Sequence, residues 1–464
     1  MLGTWIAVAA GFVLFGVADD WPQFRGSGGA AIGKEAGLPT EWSAQKNIAW
    51  KAKIPGYGWS APIVAGDRVF VTTAVAPNQR KPPGGAGFML GYIPNAVHTW
   101  ELHCLSAADG KTLWTTKIAS MKPLAATNPT NGYATETPAT DGERVVVVIG
   151  GIGAVFGFDM AGKEVWKAEL GVYPTQFNHG AASSPAIDNG RVYLQCDNER
   201  KSFLLALDMK TGKEIWRTPR PERTSWCSPI VWKHGGRTEI VCVGNPRVRG
   251  YDAADGKQLW ELGDLFGQVK ATPIANEDVV VVGSGGGFDS EGSSSGIFGI
   301  GARKGKERPM GSRPLFAVKA GASGDVTLKP GEKETPYVAW HQPTAGPATA
   351  SPLLYEGCLY VLDERGGLAA CFDAKTGKRH YKERVPGARG FVASPWAYGG
   401  KVFCLDDSGT THVLQPGPTF KVLGANPLDE MTWSSPAVAG GAVYLRTLEH
   451  LYCVREGAGG SAGK

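Results

Sequence analysis

The sequence predicts an all-β protein made of eight four-stranded antiparallel repeats, the arrangement of an eight-bladed β-propeller. The first observation is a proline that follows Ser, Thr or Ala and precedes a short apolar run, which occurs eight times. Five of the seven intervals between these prolines are 41 to 47 residues long, close to the roughly 40–50 residues of a propeller blade. The second observation is that no sustained helical periodicity follows the N-terminus. The prolines are Pro62, Pro138, Pro185, Pro229, Pro273, Pro352, Pro395 and Pro436.

The segment from Ser183 to Trp216 shows one repeat in full. It holds four apolar strand signals within 34 residues, each bounded by Gly, Asn or Asp. Val192–Cys196 follows an Asn-Gly pair, and Phe203–Leu207 follows a charged turn. A single meander of this size cannot bury both of its faces, so it requires neighbouring copies of itself.

Most repeats end in a tight turn followed by an aromatic residue, as in Ala206–Trp216 (ALDMKTGKEIW). Asp accepts backbone N–H bonds across such a turn, and Gly supplies the left-handed residue that reverses the chain. A large amphipathic aromatic side chain is suited to fill the gap between two neighbouring sheets. The predicted blade-docking residues are Trp50, Trp114, Trp166, Trp216, Trp260, Trp340 and Tyr381.

The two ends of the chain are predicted to share the last blade. The eighth repeat begins at Pro436 and lacks a fourth strand, whereas Asn47–Lys51 reads as a lone strand with no repeat before it. Closing the ring in this way removes exposed sheet edges. The predicted organisation is a signal peptide at 1–18, an irregular lead-in at 19–46, the propeller at 47–456 and a flexible tail at 457–464.

Two insertions rich in Gly explain the two long intervals between prolines, and they are predicted near 75–99 and 283–311. The Gly run of the second insertion lacks the spacing of a phosphate-binding loop, and no helical pattern follows it. The sequence therefore favours a surface loop there.

The N-terminus predicts export. The apolar run Ile6–Val17 is too short to span a bilayer, and small residues precede Asp19. Because Met1–Trp5 has no Lys or Arg, a mis-assigned start codon or a buried first strand remain alternatives. After removal of the signal peptide, the protein is predicted to be a monomer in the periplasm or cell envelope of a bacterium, with no transmembrane span in the mature chain.

The net charge and the cysteine pattern bear on three classes of interaction: nucleic-acid binding, disulfides and metal sites. The net charge of +5 is small for 464 residues, and no Lys/Arg run occurs, so no nucleic-acid partner is predicted. The eight cysteines form no CxxC or vicinal pair and fall mostly in apolar strand runs, which favours buried free thiols. Cys227 and Cys242, on successive predicted strands, are the pair to check for a disulfide. The spacing fits no zinc site, and no metal site is predicted.

The repeat A-x-D-x-x-T-G-K-x-x-W, led by Ser-Pro and a hydrophobic pair, resembles the pyrroloquinoline quinone (PQQ) propeller repeat. Ala206–Trp216 matches it in full, other closures match in part, and the resemblance covers roughly 47–456. The lead-in DWPQFRG…GLPTEW is similar to the first segment of secreted members. The resemblance implies eight blades docked by tryptophans. It also implies one of two functions: a dehydrogenase with PQQ and calcium in the funnel, or a non-enzymatic propeller such as the lipoprotein of the outer-membrane barrel assembly machinery.

Two features of the dehydrogenases are not found in this sequence. Their vicinal Cys-Cys pair is absent, and their calcium-binding Glu, Asn and Asp cannot be placed in register. No Ser, His and Asp set is linked by its spacing in the sequence either, so no catalytic residue is predicted.

Residues just before each repeat proline are predicted to lie along the innermost strands and the loops that lead into them. An aromatic and charged pocket there would suit a flat or anionic ligand. The alternative is that the tryptophans pack between blades and the charges line a wet channel. The candidate funnel-mouth residues are Trp59, Asn128, Glu136, His179, Arg223, Trp226, Lys270, Arg389, Glu430 and Trp433.

The predicted function is a non-catalytic binding or scaffold module of the cell envelope, with an envelope protein or a polymer as partner and no cofactor. A closed ring holds its loops in fixed geometry, so binding loses little loop entropy. One alternative is a PQQ- and calcium-dependent alcohol dehydrogenase with an atypical site. A second alternative is a propeller that binds polysaccharide through the Trp and Arg residues of the mouth.

Overall fold

The chain folds as an eight-bladed β-propeller, as the sequence predicts. The structure is a computed structural model and describes residues 20–77, 79, 90–285 and 312–459. Its strands form eight sheets, and within the described ranges no α-helix occurs, only two short 3-10 turns at Ser27–Gly29 and Gln176–Asn178. Neither the predicted signal peptide at 1–18 nor the last five residues of the predicted tail lies within the described ranges.

Each blade is a four-stranded antiparallel meander, and the strands are numbered β1 to β33 in chain order. The first four blades consist of β2–β5 (Ile63–Ala65, Arg68–Val75, His98–Ser106, Thr112–Met121), β6–β9 (Ala139–Thr140, Arg144–Ile149, Ala154–Asp159, Glu164–Glu169), β10–β13 (Ala186–Asp188, Arg191–Cys196, Ser202–Asp208, Glu214–Arg220) and β14–β17 (Ile230–His234, Arg237–Val243, Val248–Asp252, Gln258–Leu262).

The last four blades complete the ring. They consist of β18, β19, β20 and β22 (Ile274–Ala275, Val279–Gly283, Leu315–Lys319, Val338–Gln342), β23–β26 (Leu353–Tyr355, Cys358–Leu362, Leu368–Asp373, Arg379–Arg384), β27–β30 (Trp396–Tyr398, Lys401–Leu405, Thr410–Leu414, Val422–Pro427), and β31–β33 with β1 (Ala437–Ala439, Ala442–Arg446, His450–Gly459, Lys46–Lys53).

The first strand of each blade lies innermost, and inner strands of neighbouring blades contact one another around the axis. Blade 3 shows how local sequence sets this geometry. Asn189 and Gly190 both have positive φ, 45° and 72°, and they connect β10 to β11 with Asp188 opposite Arg191. Two left-handed residues are what a tight two-residue hairpin requires, and Asn-Gly adopts them readily.

The N-terminal strand closes the last blade, which confirms the predicted ring closure. Strand β1 pairs antiparallel with β33, and Trp50 lies opposite Cys453. The rings of Trp50 and Tyr444 are 5.9 Å apart between centroids. Strand β33 continues to Gly459, opposite Lys46, and so extends three residues into the segment predicted as a tail.

Blade 5 contains an excursion that the sequence analysis missed. Between β20 and β22, the chain forms β21 (Gly324–Asp325), which pairs in parallel with β17 and gives blade 4 a fifth strand. The sequence predicts a single insertion near 283–311 for the long interval between Pro273 and Pro352, because the excursion carries no closing aromatic residue that would reveal it. Of the two predicted insertions, 78, 80–89 and 286–311 lie outside the described residues.

Tryptophans of the outermost strands dock onto the next blade. The indole N–H of Trp166 in blade 2 donates to the Met209 carbonyl of blade 3 at 3.0 Å, and the ring lies against the turn glycine Gly212. Trp50, Trp114, Trp216 and Trp340 donate in the same way to Ala107, Met160, Ala253 and Ala374.

Two predicted docking residues depart from this pattern. The Trp260 indole donates to Glu239 within its own blade at 2.7 Å, because blade 5 has the β21 excursion instead of a tight turn. The Tyr381 hydroxyl has no hydrogen-bond partner in the described part of the chain, and its ring packs edge-on against Phe420 at 5.3 Å.

A ring of hydrogen bonds links the inner strands. The backbone N–H of the residue before each blade proline donates to the hydroxyl of the equivalent residue in the next blade. Seven such bonds of 2.9 to 3.1 Å run from Ala61 through Thr137, Ser184, Ser228, Thr272, Ser351 and Ser394 to Ser435. This hydroxyl ring explains why the repeat places Ser or Thr before its proline.

The hydroxyl ring is interrupted at the seam between blades 8 and 1, because Ala61 has no hydroxyl group. The Ser434 hydroxyl and the Arg446 guanidinium bridge this seam instead, and both donate to the Ser60 carbonyl, at 3.2 and 3.1 Å. The first and last blades therefore dock through a buried arginine rather than through the repeated hydroxyl contact.

The lead-in crosses the base of the propeller, the end at which each inner strand turns into its second strand. Trp21 pairs with Val64 of blade 1, the Gln23 carboxamide oxygen accepts from Ile187 of blade 3, and Gly33 donates to Ala397 of blade 7. A segment that touches blades on opposite sides of the axis must cross the channel. The lead-in therefore covers the channel at this end.

All eight cysteines are free and mostly buried. Cys227 and Cys242 form no disulfide, which agrees with the predicted buried thiols. Burial raises the pKa of Cys227 to about 12, so this thiol stays protonated at neutral pH. Over the described residues, the structure has no helix long and apolar enough to cross a bilayer.

Candidate functional site

The candidate site is the mouth, the open end of the channel where loops lead into the inner strands. Two of the predicted mouth tryptophans, Trp59 of blade 1 and Trp433 before blade 8, lie together with ring centroids 5.2 Å apart. The Trp59 indole donates to the Thr130 carbonyl at 2.8 Å, which fixes the ring against the loop that precedes blade 2. Both rings are largely covered, so this pair mainly holds neighbouring loops together.

A second aromatic pair lies at the loops before blades 3 and 4. The ring of His179 is 5.9 Å from the ring of Trp226, and Phe177 lies 5.6 Å from His179 on its other side. The Trp226 indole donates to the Gly180 carbonyl at 2.8 Å. Trp59 and Trp226 therefore each hold the loop of a neighbouring blade.

Lys270 lies three residues before Pro273, in the loop that leads into blade 5. Its ammonium lies 3.9 Å from Glu364, and 31% of its side chain is exposed. The Thr349 hydroxyl also donates to Glu364. Arg389 lies on the exposed rim, with its backbone N–H 3.4 Å from Asp406. Lys270 and Arg389 thus occupy the mouth but do not form one cluster with the tryptophans.

Two predicted carboxylates are held within the blades. Glu136 is 3% exposed and accepts the Gly150 N–H at 3.0 Å, and burial raises its pKa to about 7. For Glu430, partial burial favours a higher pKa, but the hydrogen bonds from Glu449 N–H and His450 outweigh burial and lower it. Neither carboxylate joins Lys270 in a shared pocket.

The remaining predicted residues, Arg223 and Asn128, shape loops. The Arg223 guanidinium is exposed and pairs with Glu199 at 2.8 Å. The Asn128 side-chain oxygen accepts from the Thr130 N–H at 2.9 Å and orders the loop before blade 2. The ten predicted residues therefore lie around one end of the channel, but their side chains are distributed among separate contacts rather than one pocket.

Beside Arg223, the structure contains a buried ionic network that the sequence analysis missed. Arg220 pairs with Asp197 at 2.7 Å, and both side chains are fully buried. Arg249 pairs with Glu222 at 2.6 Å in the same network. The partners of these two ion pairs lie 23 and 27 positions apart in sequence, and no spacing pattern links them. The network fixes the loop between blades 3 and 4, because a buried charge requires its partner in place.

A further feature missed by the sequence analysis is an exposed apolar patch on the mouth side of blades 1 and 2. Eleven large hydrophobic side chains are exposed among the described residues, and seven of them lie in this patch. Monomeric proteins rarely expose large contiguous apolar surface unless it binds something. The apolar patch consists of Leu90, Tyr92, Ile93, Val97, Met121, Leu124 and Val172.

Several contacts join the segments that carry the apolar patch. Tyr92 pairs with Thr127 through backbone bonds, and the Lys122 ammonium donates to the Asn95 side chain at 2.6 Å. The Leu124 N–H donates to Gly151, and Gly153 of the same loop packs next to Val172. These contacts bring the segments that carry the seven side chains next to one another on the mouth side of blades 1 and 2.

A dehydrogenase of this fold would need oxygen ligands for calcium near the mouth. Calcium takes six to eight oxygen ligands, largely carboxylates and amides. Over the described ranges, no group of three or more His, Cys, Asp or Glu side chains is arranged to hold a metal ion. Glu136 and Glu364, the carboxylates closest to the inner strands, are engaged with Gly150 and Thr349.

Comparison with known proteins shows which family the repeats resemble. The sequence model of the outer membrane protein assembly factor BamB matches residues 91–228 and 200–308. The protein is a PQQ-like β-propeller similar to BamB. The PQQ-like propeller is 26% identical over 273 residues to BamB of Moranella endobia, covering 58% of this chain and 61% of that protein. It is 23% identical over 278 residues to BamB of Yersinia pestis, covering 54% of this chain and 68% of that protein.

The PQQ-like propeller therefore spans between about three fifths and two thirds of the length of these curated relatives. Its fold is also that of the quinohemoprotein alcohol dehydrogenase from Comamonas testosteroni, with a TM-score of 0.59 and 13% identity, covering 96% of this chain and 81% of that one. At this identity the likeness concerns the fold alone, because one fold hosts many functions.

Proposed function

We propose that the PQQ-like propeller is a non-catalytic scaffold of the bacterial cell envelope that binds a protein of the outer-membrane assembly apparatus through its apolar patch. The observation that carries this proposal is the clustering of seven exposed hydrophobic side chains on one side of the mouth. The similarity to proteins described as outer membrane protein assembly factors supports the class of partner. Envelope location also follows the predicted export signal.

The physical argument rests on rigidity and desolvation. Tyr92 and Ile93 are 58% and 54% exposed, and they lie on a loop whose backbone is bonded to neighbouring loops. A partner that covers these side chains gains apolar burial of roughly 25 cal/mol per Å². Because the loops are already ordered, little of this gain is lost to conformational entropy. Aromatic side chains such as Tyr92 are common anchors of protein interfaces.

The test is site-specific photo-crosslinking of the full chain in its own bacterium. A photoreactive residue at Ile93 is expected to crosslink an outer-membrane assembly protein, identified by mass spectrometry. The control position is Leu113, which is 50% exposed but lies on the outer strand of blade 1, away from the patch. An equal yield of the same adduct from both positions, or no adduct at Ile93, would refute the proposal.

Substitution gives a second measurement with the purified partner. Ile93→Ser and Leu124→Ser are each expected to weaken binding about tenfold, which corresponds to roughly 1.4 kcal/mol. The matched controls Leu113→Ser and Ile215→Ser replace comparably exposed side chains elsewhere and should leave affinity unchanged. Unfolding curves of all four variants identify any loss due to misfolding.

The enzymatic and polysaccharide alternatives remain predictions, and the same protein tests them. The purified chain is titrated with PQQ and calcium while the quinone absorbance and dye-linked alcohol oxidation are recorded. Saturable binding together with turnover would replace the scaffold by a dehydrogenase. Saturable binding of an oligosaccharide that is lost in Arg223→Ala, without any effect of Ile93→Ser, would instead favour polysaccharide recognition by the mouth.

A further inference from the structure

Arg25 is a buried cation without a counter-charge. Its side chain belongs to the lead-in, is 1% exposed, and donates from Nη2 to the Pro352 carbonyl of blade 6. Its Nε and Nη1 atoms are buried and have no hydrogen-bond partner among the described residues. These two nitrogens carry three of the five N–H donors of a guanidinium. No carboxylate of the described ranges forms an ion pair with it.

This arrangement differs from that of the other buried arginines. Arg220 and Arg249 pair with Asp197 and Glu222. Arg446, at the seam of blades 8 and 1, donates to the Ser60 carbonyl and hydroxyl and to the Thr72 carbonyl. Arg25 has a single carbonyl acceptor for the same charge.

The position of Arg25 places its donors in the channel. The backbone of the lead-in bonds to the second residue after the blade proline, as in Val64, Thr140 and Ala397. The Arg25 guanidinium reaches Pro352 itself, which is adjacent in sequence to Ser351 of the hydroxyl ring. It therefore lies between the lead-in and the hydroxyl ring, close to the axis.

The contacts of the Arg25 guanidinium leave its charge poorly compensated. It is buried and bonded to one carbonyl, that of Pro352, which is adjacent in sequence to Ser351 of the hydroxyl ring. Burial disfavours the charged guanidinium and lowers its pKa to about 9. A buried charge that is neither paired nor fully hydrogen-bonded destabilises the native state. A bound anion removes this cost through charge-assisted hydrogen bonds.

We propose that the channel of this propeller binds a small inorganic anion at Arg25, between the lead-in that covers its base and the hydroxyl ring. The ligand is small because Arg25 is enclosed and only 1% exposed. The anion links the lead-in to the inner strands and stabilises the covered end of the channel. This site is separate from the apolar patch and does not depend on the scaffold function.

The first experiment is crystallography of the full chain with bromide. Data collected at the bromine absorption edge are expected to show an anomalous peak within hydrogen-bonding distance of Arg25 Nε or Nη1. Ordered water alone at these atoms, or a channel without an anomalous peak, would overturn the proposal. This measurement uses the wild-type protein and does not depend on the folding of any variant.

The second experiment is thermal unfolding in sodium bromide against sodium gluconate at constant ionic strength. Wild type is expected to show a saturable rise of Tm with bromide, because a ligand of the native state stabilises it by mass action. Arg25→Met should abolish the bromide dependence while keeping a Tm in gluconate at or above that of wild type. Arg237→Met, which removes an arginine side chain that is 52% exposed, should retain the rise. A saturable rise that persists in Arg25→Met would place the anion elsewhere.

Discussion

The docking of tryptophans onto turn glycines can be tested by two substitutions in blade 3 that differ in one respect. Gly212 and Gly190 both occupy tight turns, with φ of 69° and 72°. A Cβ at Gly212 would lie 2.4 Å from the Trp166 ring, whereas a Cβ at Gly190 would have nothing within 4 Å. The pair Gly212→Ala and Gly190→Ala therefore separates backbone strain from loss of docking.

The expected magnitudes follow from these contacts. A left-handed conformation costs a non-glycine residue about 1–2 kcal/mol, so Gly190→Ala should lower the free energy of unfolding by that amount. Carbon atoms pack at about 3.5–4.0 Å, so a Cβ at 2.4 Å from Trp166 forces the ring or the turn to move. Overpacking of this kind costs a further 1–3 kcal/mol or so. Gly212→Ala should therefore cost about 2–5 kcal/mol.

The assay is urea unfolding followed by tryptophan fluorescence and far-UV circular dichroism, with the midpoint and slope compared between variants. Combining Gly212→Ala with Trp166→Leu removes the ring that the new Cβ would meet. In that background, Gly212→Ala should cost only as much as Gly190→Ala. Equal penalties for the two alanine variants in the wild-type background, or an undiminished Gly212→Ala penalty in the Trp166→Leu background, would refute the docking argument.

Three further predictions concern buried polar groups and are measured by urea unfolding. Ser228→Ala leaves the Ser184 N–H without its acceptor and should cost about 1–3 kcal/mol, whereas Ser228→Thr retains the hydroxyl and should cost less. The raised pKa of Glu136 means that the native state holds its proton more tightly than the unfolded chain, so this group favours folding below pH 4.5. That contribution of about 3 kcal/mol to the free energy of unfolding is lost as the pH rises to about 7. In a Glu136→Gln variant, the free energy of unfolding should no longer show this part of the pH dependence. A pH dependence identical to that of wild type would contradict the assignment. Asp197→Ala leaves the buried Arg220 charge without its partner and should lower the free energy of unfolding by about 3–5 kcal/mol. The double change Asp197→Leu, Arg220→Met should recover much of this loss. If stability is not recovered, the ion pair is not the cause of the loss.

The architecture could be predicted from sequence because its signals are local and repeated. The turn in ALDMKTGKEIW needs only neighbouring residues to form, and eight proline starts report the number of blades without any knowledge of contacts. The unmatched strand at Asn47–Lys51 and the incomplete eighth repeat led to the correct pairing of β1 with β33 for the same reason. Periodicity thus determined the fold and its closure.

The candidate site depended on tertiary structure. The sequence placed ten residues near one end of the channel, but side-chain direction decided that Glu136 bonds to Gly150 inside its blade and that Trp59 packs against Trp433. Pairing between β17 and β21 escaped prediction because it joins residues about 60 positions apart without a shared motif.

The sequence by itself determined the all-β class, the eight blades and the closure by the N-terminal strand, since each depends on spacing along the chain. Only the tertiary structure showed that seven exposed hydrophobic residues form one patch and that Arg25 is buried without a counter-charge. Exposure and charge pairing are properties of the surroundings that distant segments create. The exposure of Ile93 and the lack of a counter-charge at Arg25 are therefore decided only when folding brings those segments together.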